Sequence, residues 1–367
     1  MVVFDFDIDD PADDLEISVS DPASQAAVND TAINQDPFTE VSLQHLVDCL
    51  PSLISCSPLS IPLSSGGEVT LARRDLFDAR FQLINDEVND EQKDNSPELG
   101  FLNAPSDLVQ GVYEGGLKTW ECSLDIVDYL HAENPVFEGR RVFEAGCGTA
   151  VPSVYILQNL FSGLPHGKET HLHLQDYNAI VFELLTLPNL ILAWYMSPAS
   201  KAYRDAAAHP SPDETPLPPA DASIRAEIPI TLELKTAFLS SLEAYGIRLR
   251  FFSGSWSSFD LHQSGGTYDI VLTSETIYRT DSVGSLIDLL QSVSPTVDSL
   301  TSRLSISDGE NSSQSYLCLV AAKIFYFGVG GGVTNFVEAV EEKEGRVETV
   351  WEQKVGVGRR IMRIQWS

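Results

Sequence analysis

From about Gly111 onward, short apolar runs take turns with segments whose apolar positions recur every three or four residues. The runs read as strands, the first of them buried, and the periodic segments as helices. Arg141–Ala145, Leu172–Gln175, Ile247–Phe252, Tyr268–Leu272 and Tyr316–Ala321 are of the first kind. Val151–Leu160, Ile180–Leu187, Asp281–Leu290 and Phe336–Lys343 are of the second, and Arg346–Glu352 and Arg359–Gln365 are placed to pair as a final antiparallel hairpin. Upstream, Leu76, Phe77, Phe81 and Ile84 give Leu71–Ile84 a short helical pattern. Alternating βα units build a mostly parallel sheet with helices on both faces, so the expected fold class is α/β.

Composition divides the chain further. Pro198–Pro229, rich in Pro, Ala and Asp, and the Ser-rich Ser292–Ser315 interrupt the alternation, which resumes after each. They are expected to be flexible insertions near 198–229 and 292–315 within one domain, 111–367. Residues 68–110 read as an N-terminal extension with a short helix. Residues 1–67 read as an acidic, mostly disordered region, with 11 acids and no base in the first 40 residues. Over all 367 residues, 23 Lys+Arg face 53 Asp+Glu, a net charge of −30. That excludes non-specific affinity for nucleic acid or anionic lipid, which needs a basic footprint, and suits a basic partner. Met1 is followed by Asp5, Asp7, Asp9 and Asp10, unlike a secretory signal. The longest apolar stretch, Leu184 to Met196, is broken by Pro188 and Asn189 and is too short for a bilayer. Five scattered cysteines without a CxxC pair fit reduced thiols in the cytoplasm or nucleus, and a soluble monomer is expected.

The strongest local motif is Val142-Phe143-Glu144-Ala145-Gly146-Cys147-Gly148-Thr149-Ala150. A strand ending in an acid, then a Gly-x-Gly turn into a helix, lets a nucleotide approach the backbone. Glu144, Gly146 and Gly148 are therefore candidate binding residues, with a ligand-free tight turn as the alternative. Val151 stands where the dinucleotide fingerprint has its third glycine, and the turn holds no Lys or Arg for a phosphate. Asp176 closes the next strand, where it can accept from both ribose hydroxyls or cap a helix. Trp256 follows the third strand, where its indole can stack on adenine or fill the core. The set fits S-adenosylmethionine better than NAD.

Further segments fall at the same sheet edge: Gly111–Cys122 ahead of the first strand, Thr273–Tyr278 after the fourth, and Phe325–Gly332 after the fifth. With Leu117-Lys118-x-Trp120-Glu121-Cys122, Gln175-Asp176-Tyr177-Asn178, Thr186-Leu187-Pro188-Asn189 and Tyr326–Gly332, the chain resembles the eukaryotic protein-histidine methyltransferases. The resemblance runs from about Gly111 to the C-terminus, and Arg73–Arg80 looks like that family's N-terminal segment. It implies a Rossmann-like seven-strand methyltransferase fold with a C-terminal antiparallel hairpin. It also implies S-adenosylmethionine as cofactor and, as substrate, a histidine of a large-subunit ribosomal protein. The implied cofactor contacts are Thr119, Trp120, Glu121, Cys122 and Ser123, then Gly146, Gln175, Asp176 and Tyr177, and finally Gly254, Ser255, Trp256 and Ser274. The chain departs from the pattern in Glu144-Ala145, where Asp-Leu is commoner, and in the long Pro198–Pro229 loop.

Methyl transfer to an imidazole needs positioning more than activation, because the neutral ring, with a reference pKa of ~6.5, is already nucleophilic. Glu275 and Tyr278 are the catalytic candidates, to orient the ring or take its other proton; Glu121 is a third possibility, and Glu275 as a helix-start acid is the plain alternative. The glycine run to Gly332 suits close approach of a substrate backbone or a plain turn. His166, His171 and His173 show no partners for a metal, and none is expected. Two other readings stay open: a lysine methyltransferase of the same fold, with Glu275-x-x-Tyr278 as its acid-x-x-aromatic pair, and a non-catalytic assembly factor for a basic ribosomal protein.

Overall fold

The structure, a computed structural model, describes residues 37–88, 108–109, 113–114, 116–165, 167–207, 216–295, 316–326 and 331–366. The expectations for residues 1–36, for 296–315 and for the glycine run at 327–330 lie outside these residues. Thirteen strands are described: β1 (Thr39–Val41), β2 (Leu53–Pro62), β3 (Glu68–Arg74), β4 (Leu108–Val109), β5 (Tyr113–Glu114), β6 (Arg141–Ala145) and β7 (Thr170–Asp176), then β8 (Ala226–Pro229), β9 (Ile247–Ser253), β10 (Ile270–Ser274), β11 (Leu317–Lys323), β12 (Gly345–Gln353) and β13 (Arg359–Trp366).

Eight of them form the main sheet, in the order β1-β9-β7-β6-β10-β11-β13-β12. The five strands from β9 to β11 run parallel, while β1, β13 and β12 pair antiparallel. In β6 at the centre, Val142, Phe143 and Ala145 are fully buried, as a strand covered on both faces requires. One face packs Val154, Leu157, Leu190 and Trp194 against Leu172 and Leu272; the other packs Leu286, Leu290 and Phe336 against Phe143 and Val271. The expected α/β class is observed, with the C-terminal hairpin between β12 and β13. The chain passes from β6 to β7 on one side and returns to β10 on the other, so a crevice opens above the carboxyl ends of these strands.

Several boundaries differ from the sequence expectations. Residues 37–67, expected within the mostly disordered region, form β1, the helix Leu43–Asp48 and β2. Strand β2 centres a second, antiparallel sheet of order β3-β2-β8. Its Pro58 and Pro62 pair with β3 alone, because β8 covers only Leu53 to Cys56, so the missing N–H groups cost no ladder bond. Leu71 belongs to β3, and the helix starts at Leu76. Phe77 and Phe81, which suggested its apolar face, are 81% and 56% exposed, and Ala79 is buried instead.

Among the described residues, the Pro198–Pro229 stretch contains regular structure. It holds a 3-10 turn at Pro198–Ser200, the helix Lys201–Ala206 and β8, and the Tyr195 hydroxyl donates to the Pro218 carbonyl at 2.6 Å. Within Ser292–Ser315, the helix Thr280–Val293 continues two residues in. The strand expected from Tyr268 begins at Ile270, and the helix expected over Ile180–Leu187 runs through a π turn at Phe182–Thr186 into Leu187–Tyr195. Among the described residues, no single helix is long and apolar enough to cross a membrane.

Candidate active site

The glycine turn is shaped by what crowds it. Gly146 sits at φ +61°, in the left-handed region, and a Cβ there would lie 2.7 Å from the Thr276 Cγ2. Gly148, at φ +50°, lets the Gly116 carbonyl approach to where a Cβ would stand 3.1 Å away. The turn is held from outside: the Gly148 N–H donates to Asp176 Oδ2 at 2.8 Å, and the Gly146 N–H to Gln175 Oε1 at 3.3 Å. The Thr186 hydroxyl donates to the Gly148 carbonyl at 2.7 Å, and Asn189 Nδ2 to the Thr149 carbonyl at 2.9 Å. Gln175 Oε1 also accepts from the Trp256 indole N–H at 2.8 Å, which fixes that ring beside the turn.

The crevice above these strand ends is a cavity of about 390 Å³. Of the residues expected to hold the cofactor, Trp120, Ser123, Gly146 and Gly148 line it, with Asp176, Tyr177, Trp256 and Ser274. The candidate catalytic pair Glu275 and Tyr278 lines it as well. The remaining seven do not line it. Glu144 is turned away from the cavity and accepts from the Ser153 backbone N–H at 3.0 Å and from the Ser153 hydroxyl, so it anchors the helix Val151–Ser162. Burial pushes its carboxyl up to about 8, against those two donors. Gln175 is buried and spent on Gly146, Trp256 and the Gly254 carbonyl. Gly254, at φ +109°, leaves room for the Pro37 carbonyl, 2.4 Å from a Cβ there. The Ser255 hydroxyl caps the short turn Trp256–Ser258, and Thr119 pairs with Thr149 through their hydroxyls at 3.1 Å. Cys122 is fully buried, and Glu121 points outward to Lys323 at 3.3 Å.

At the end lined by Glu275 the cavity changes character. Glu275 follows β10 at φ +57°, and its side chain is 6% exposed. The Tyr326 hydroxyl donates to Glu275 Oε2 at 2.7 Å and accepts from the Lys323 backbone N–H at 3.3 Å. Burial, and then the Glu275 charge, push the Tyr326 phenol up, so it remains a donor. Burial and the same carboxylate push the Cys122 thiol up, which keeps it protonated. Glu275 Oε1 has no hydrogen-bond partner; the Lys323 ammonium stands 3.7 Å from it. Burial opposes the Glu121 charge, yet its own backbone N–H and Lys323 hold that carboxyl below the usual range.

Sequence reasoning placed Thr276, Phe325 and Tyr326 in segments at this sheet edge without giving them a role, and it did not place Lys323 or Val357. Lys323 ends β11 and Tyr326 lies just after it, so the rule that ligands bind beyond the strands' carboxyl ends pointed to both. Of the three histidines set aside for metal, His166 lies outside the described residues; His171 Nε2 lies 3.0 Å from Glu169, and His173 Nδ1 bonds the Tyr268 hydroxyl at 2.8 Å. Among the described residues, His45, Cys49 and Glu183 bring ligand-type atoms within 4.8 Å of one another at the surface, apart from the cavity.

No family model matches the chain. Histidine protein methyltransferase 1 of Saccharomyces cerevisiae is 32% identical to it over 283 residues, which are 74% of this chain and 69% of the yeast protein. The chain belongs to the histidine protein methyltransferase family. The Schizosaccharomyces pombe protein of the same name is 28% identical over 330 residues, covering 88% of this chain and 83% of that one. The Bos taurus homolog is 32% identical over 247 residues, and the chain spans 52% of its length. Among solved structures, magnesium protoporphyrin IX methyltransferase from Synechocystis PCC 6803 with bound SAM matches at a TM-score of 0.33 and 12% identity, over 67% of this chain and 79% of that one. As a histidine protein methyltransferase, the enzyme takes its methyl group from S-adenosylmethionine. The cavity fits that donor: Gly146 and Gly148 bring bare backbone to its lining, Asp176 offers a carboxylate at the end of β7, and Trp256 supplies an aromatic wall.

Proposed function

We propose that this methyltransferase acts on a histidine of a large-subunit ribosomal protein, in the cytoplasm and nucleus. The observation that carries the histidine chemistry is Glu275, buried in the cavity wall with Tyr326 on one oxygen and no hydrogen-bond partner on the other. When bound, S-adenosylmethionine supplies an electrophilic methyl group on a sulfonium. Asp176 would receive its ribose hydroxyls, Trp256 its adenine, and the Gly146–Gly148 turn its backbone approach. Glu275 Oε1 accepts the N–H of an incoming imidazole, which turns the lone pair of the other ring nitrogen toward the donor. After transfer the ring carries an extra charge, and its N–H proton passes to Glu275 and on to solvent. Orientation of this kind is worth on the order of 7–11 kcal/mol at best, and Tyr326 keeps the carboxylate in place for it.

The ribosomal reading rests on the resemblance and on charge. With 53 acids against 23 bases, the enzyme attracts the basic proteins that coat ribosomal RNA. Incubation with labelled S-adenosylmethionine and separated ribosomal proteins, followed by residue mapping, tests it. One methyl on a histidine of one large-subunit protein is expected. Label confined to lysine, or to no ribosomal protein, overturns the reading.

A further inference from the structure

An ammonium group is built into the cavity beside the acceptor carboxylate, and the imidazole chemistry just described makes no use of it. Lys323 ends β11 with a side chain 19% exposed. Its Nζ stands 3.7 Å from Glu275 Oε1, 3.3 Å from Glu121 Oε2 and 4.8 Å from the centre of the Trp120 ring. A second ammonium, that of Lys118, stands 5.3 Å from the same ring. Lys118, Trp120, Glu275 and Lys323 all line the cavity.

These contacts are the ones a substrate lysine would seek. A cationic amine entering a cavity is recognised by a carboxylate and by an aromatic face. Here the carboxylate has an internal cation, and the aromatic ring has two. A lysyl ammonium reaching Glu275 would meet Lys323 at close range, a like-charge pair in a site sheltered from water. A neutral imidazole meets no such repulsion, and its N–H needs only the oxygen that has no hydrogen-bond donor.

We infer that Lys323 is a specificity-determining residue: its ammonium occupies the place a substrate ammonium would take, admits the neutral imidazole and rejects lysine. The inference rests on Glu275 as the group that receives the acceptor side chain. Specificity here comes from a repulsive element as much as from an attractive one.

The test uses two synthetic peptides spanning the mapped acceptor, identical except for histidine or lysine at that position. The full-length wild type, Lys323→Met, Lys323→Gln and Lys323→Arg are compared, with S-adenosylmethionine affinity measured by calorimetry for each. In Lys323→Met and Lys323→Gln the lysine-to-histidine ratio of kcat/KM rises by about tenfold or more, while Lys323→Arg, which keeps the charge, keeps the wild-type ratio. An unchanged ratio in both neutral variants overturns the inference. So does loss of activity on both peptides in variants that still bind S-adenosylmethionine, because Lys323 would then serve the reaction and not the choice of substrate. Failure of the wild type to methylate the histidine peptide would instead strike the proposed function.

Discussion

The Tyr326 hydroxyl gives its proton to Glu275 Oε2 at 2.7 Å and accepts from the Lys323 backbone N–H. Its phenol is pushed up by burial and by Glu275, so the proton stays on the ring across the working pH range. Tyr326→Phe removes the donor and leaves the ring, so the carboxylate swings free while the cavity stays filled. Steady-state kinetics should show kcat down by about ten- to a hundredfold with S-adenosylmethionine affinity little changed. A matching loss of cofactor affinity would place Tyr326 in binding instead. Gly146→Ala is the complementary case. At φ +61°, with a Cβ 2.7 Å from Thr276, it adds backbone strain of roughly 1–2 kcal/mol to a steric clash. Calorimetry should find S-adenosylmethionine binding weakened by about tenfold or more, from the strain and clash together.

Between elements, the glycine turn hangs on the N-terminal extension. The Arg74 backbone N–H donates to Asn189 Oδ1 at 2.8 Å, Asn189 Nδ2 donates to the Thr149 carbonyl, and Arg74 Nη1 donates to the Leu184 carbonyl of the π turn at 2.8 Å. Asn189→Leu strands two buried groups, and denaturant unfolding should show a loss of about 1–3 kcal/mol for each group left unsatisfied. Strand β7 carries a pH signature. Burial, and then the cations Arg141 and Arg250, push the His173 ring down to about 2. The unfolded chain takes up that proton as pH falls through about 6.5 and the folded chain does not, so stability drops by about 1.4 kcal/mol per pH unit below that point. Glu144 acts with the opposite sign, since its carboxyl is raised to about 8 and its contribution fades as pH rises from about 4.5 to about 8. The stability difference between His173→Gln and wild type removes the shared Glu144 part. It should move in favour of the variant between about pH 6.5 and about pH 5; a flat difference would contradict the buried neutral ring. Legibility at this scale followed burial. β6 and β11 showed in the sequence because apolar residues cover both faces, and β9 because Ile247, Leu249 and Phe251 alternate with Arg248 and Arg250. The helix Glu121–Glu133 did not, because its buried side includes Ser123, Asp125 and Asp128, the second bonding Arg359 at 2.6 Å and the third Trp351 at 3.0 Å. The same cause hid Lys323: a charge at the end of an apolar strand reads as a solvated end. Asp176 and Trp256 were legible because strand ends in a doubly wound sheet converge.

Across the whole molecule, charge and connectivity set the behaviour. The enzyme's net charge of −30 should make capture of a basic substrate depend on salt. Going from about 0.1 M to about 1 M ionic strength shortens the screening length from about 10 Å to about 3 Å, so KM should climb while kcat holds. Removing residues 1–34, which carry nine acids and no base, should flatten that dependence. A slope unchanged by the truncation would locate the attraction elsewhere. The sheet itself is closed by a pairing across great sequence distance. β1 lies on β9, and Glu40 meets Arg250 through two bonds of 2.7 Å across 210 positions. During synthesis the earlier half of that pair is made long before its mate. Loop closure over such a span comes late and slowly. Until it happens, the outer edge of β9 presents free N–H and C=O groups, a template for any neighbouring chain. The hazard of aggregation is therefore greatest in the nascent polypeptide and falls when three residues dock over Phe251 to Ser253.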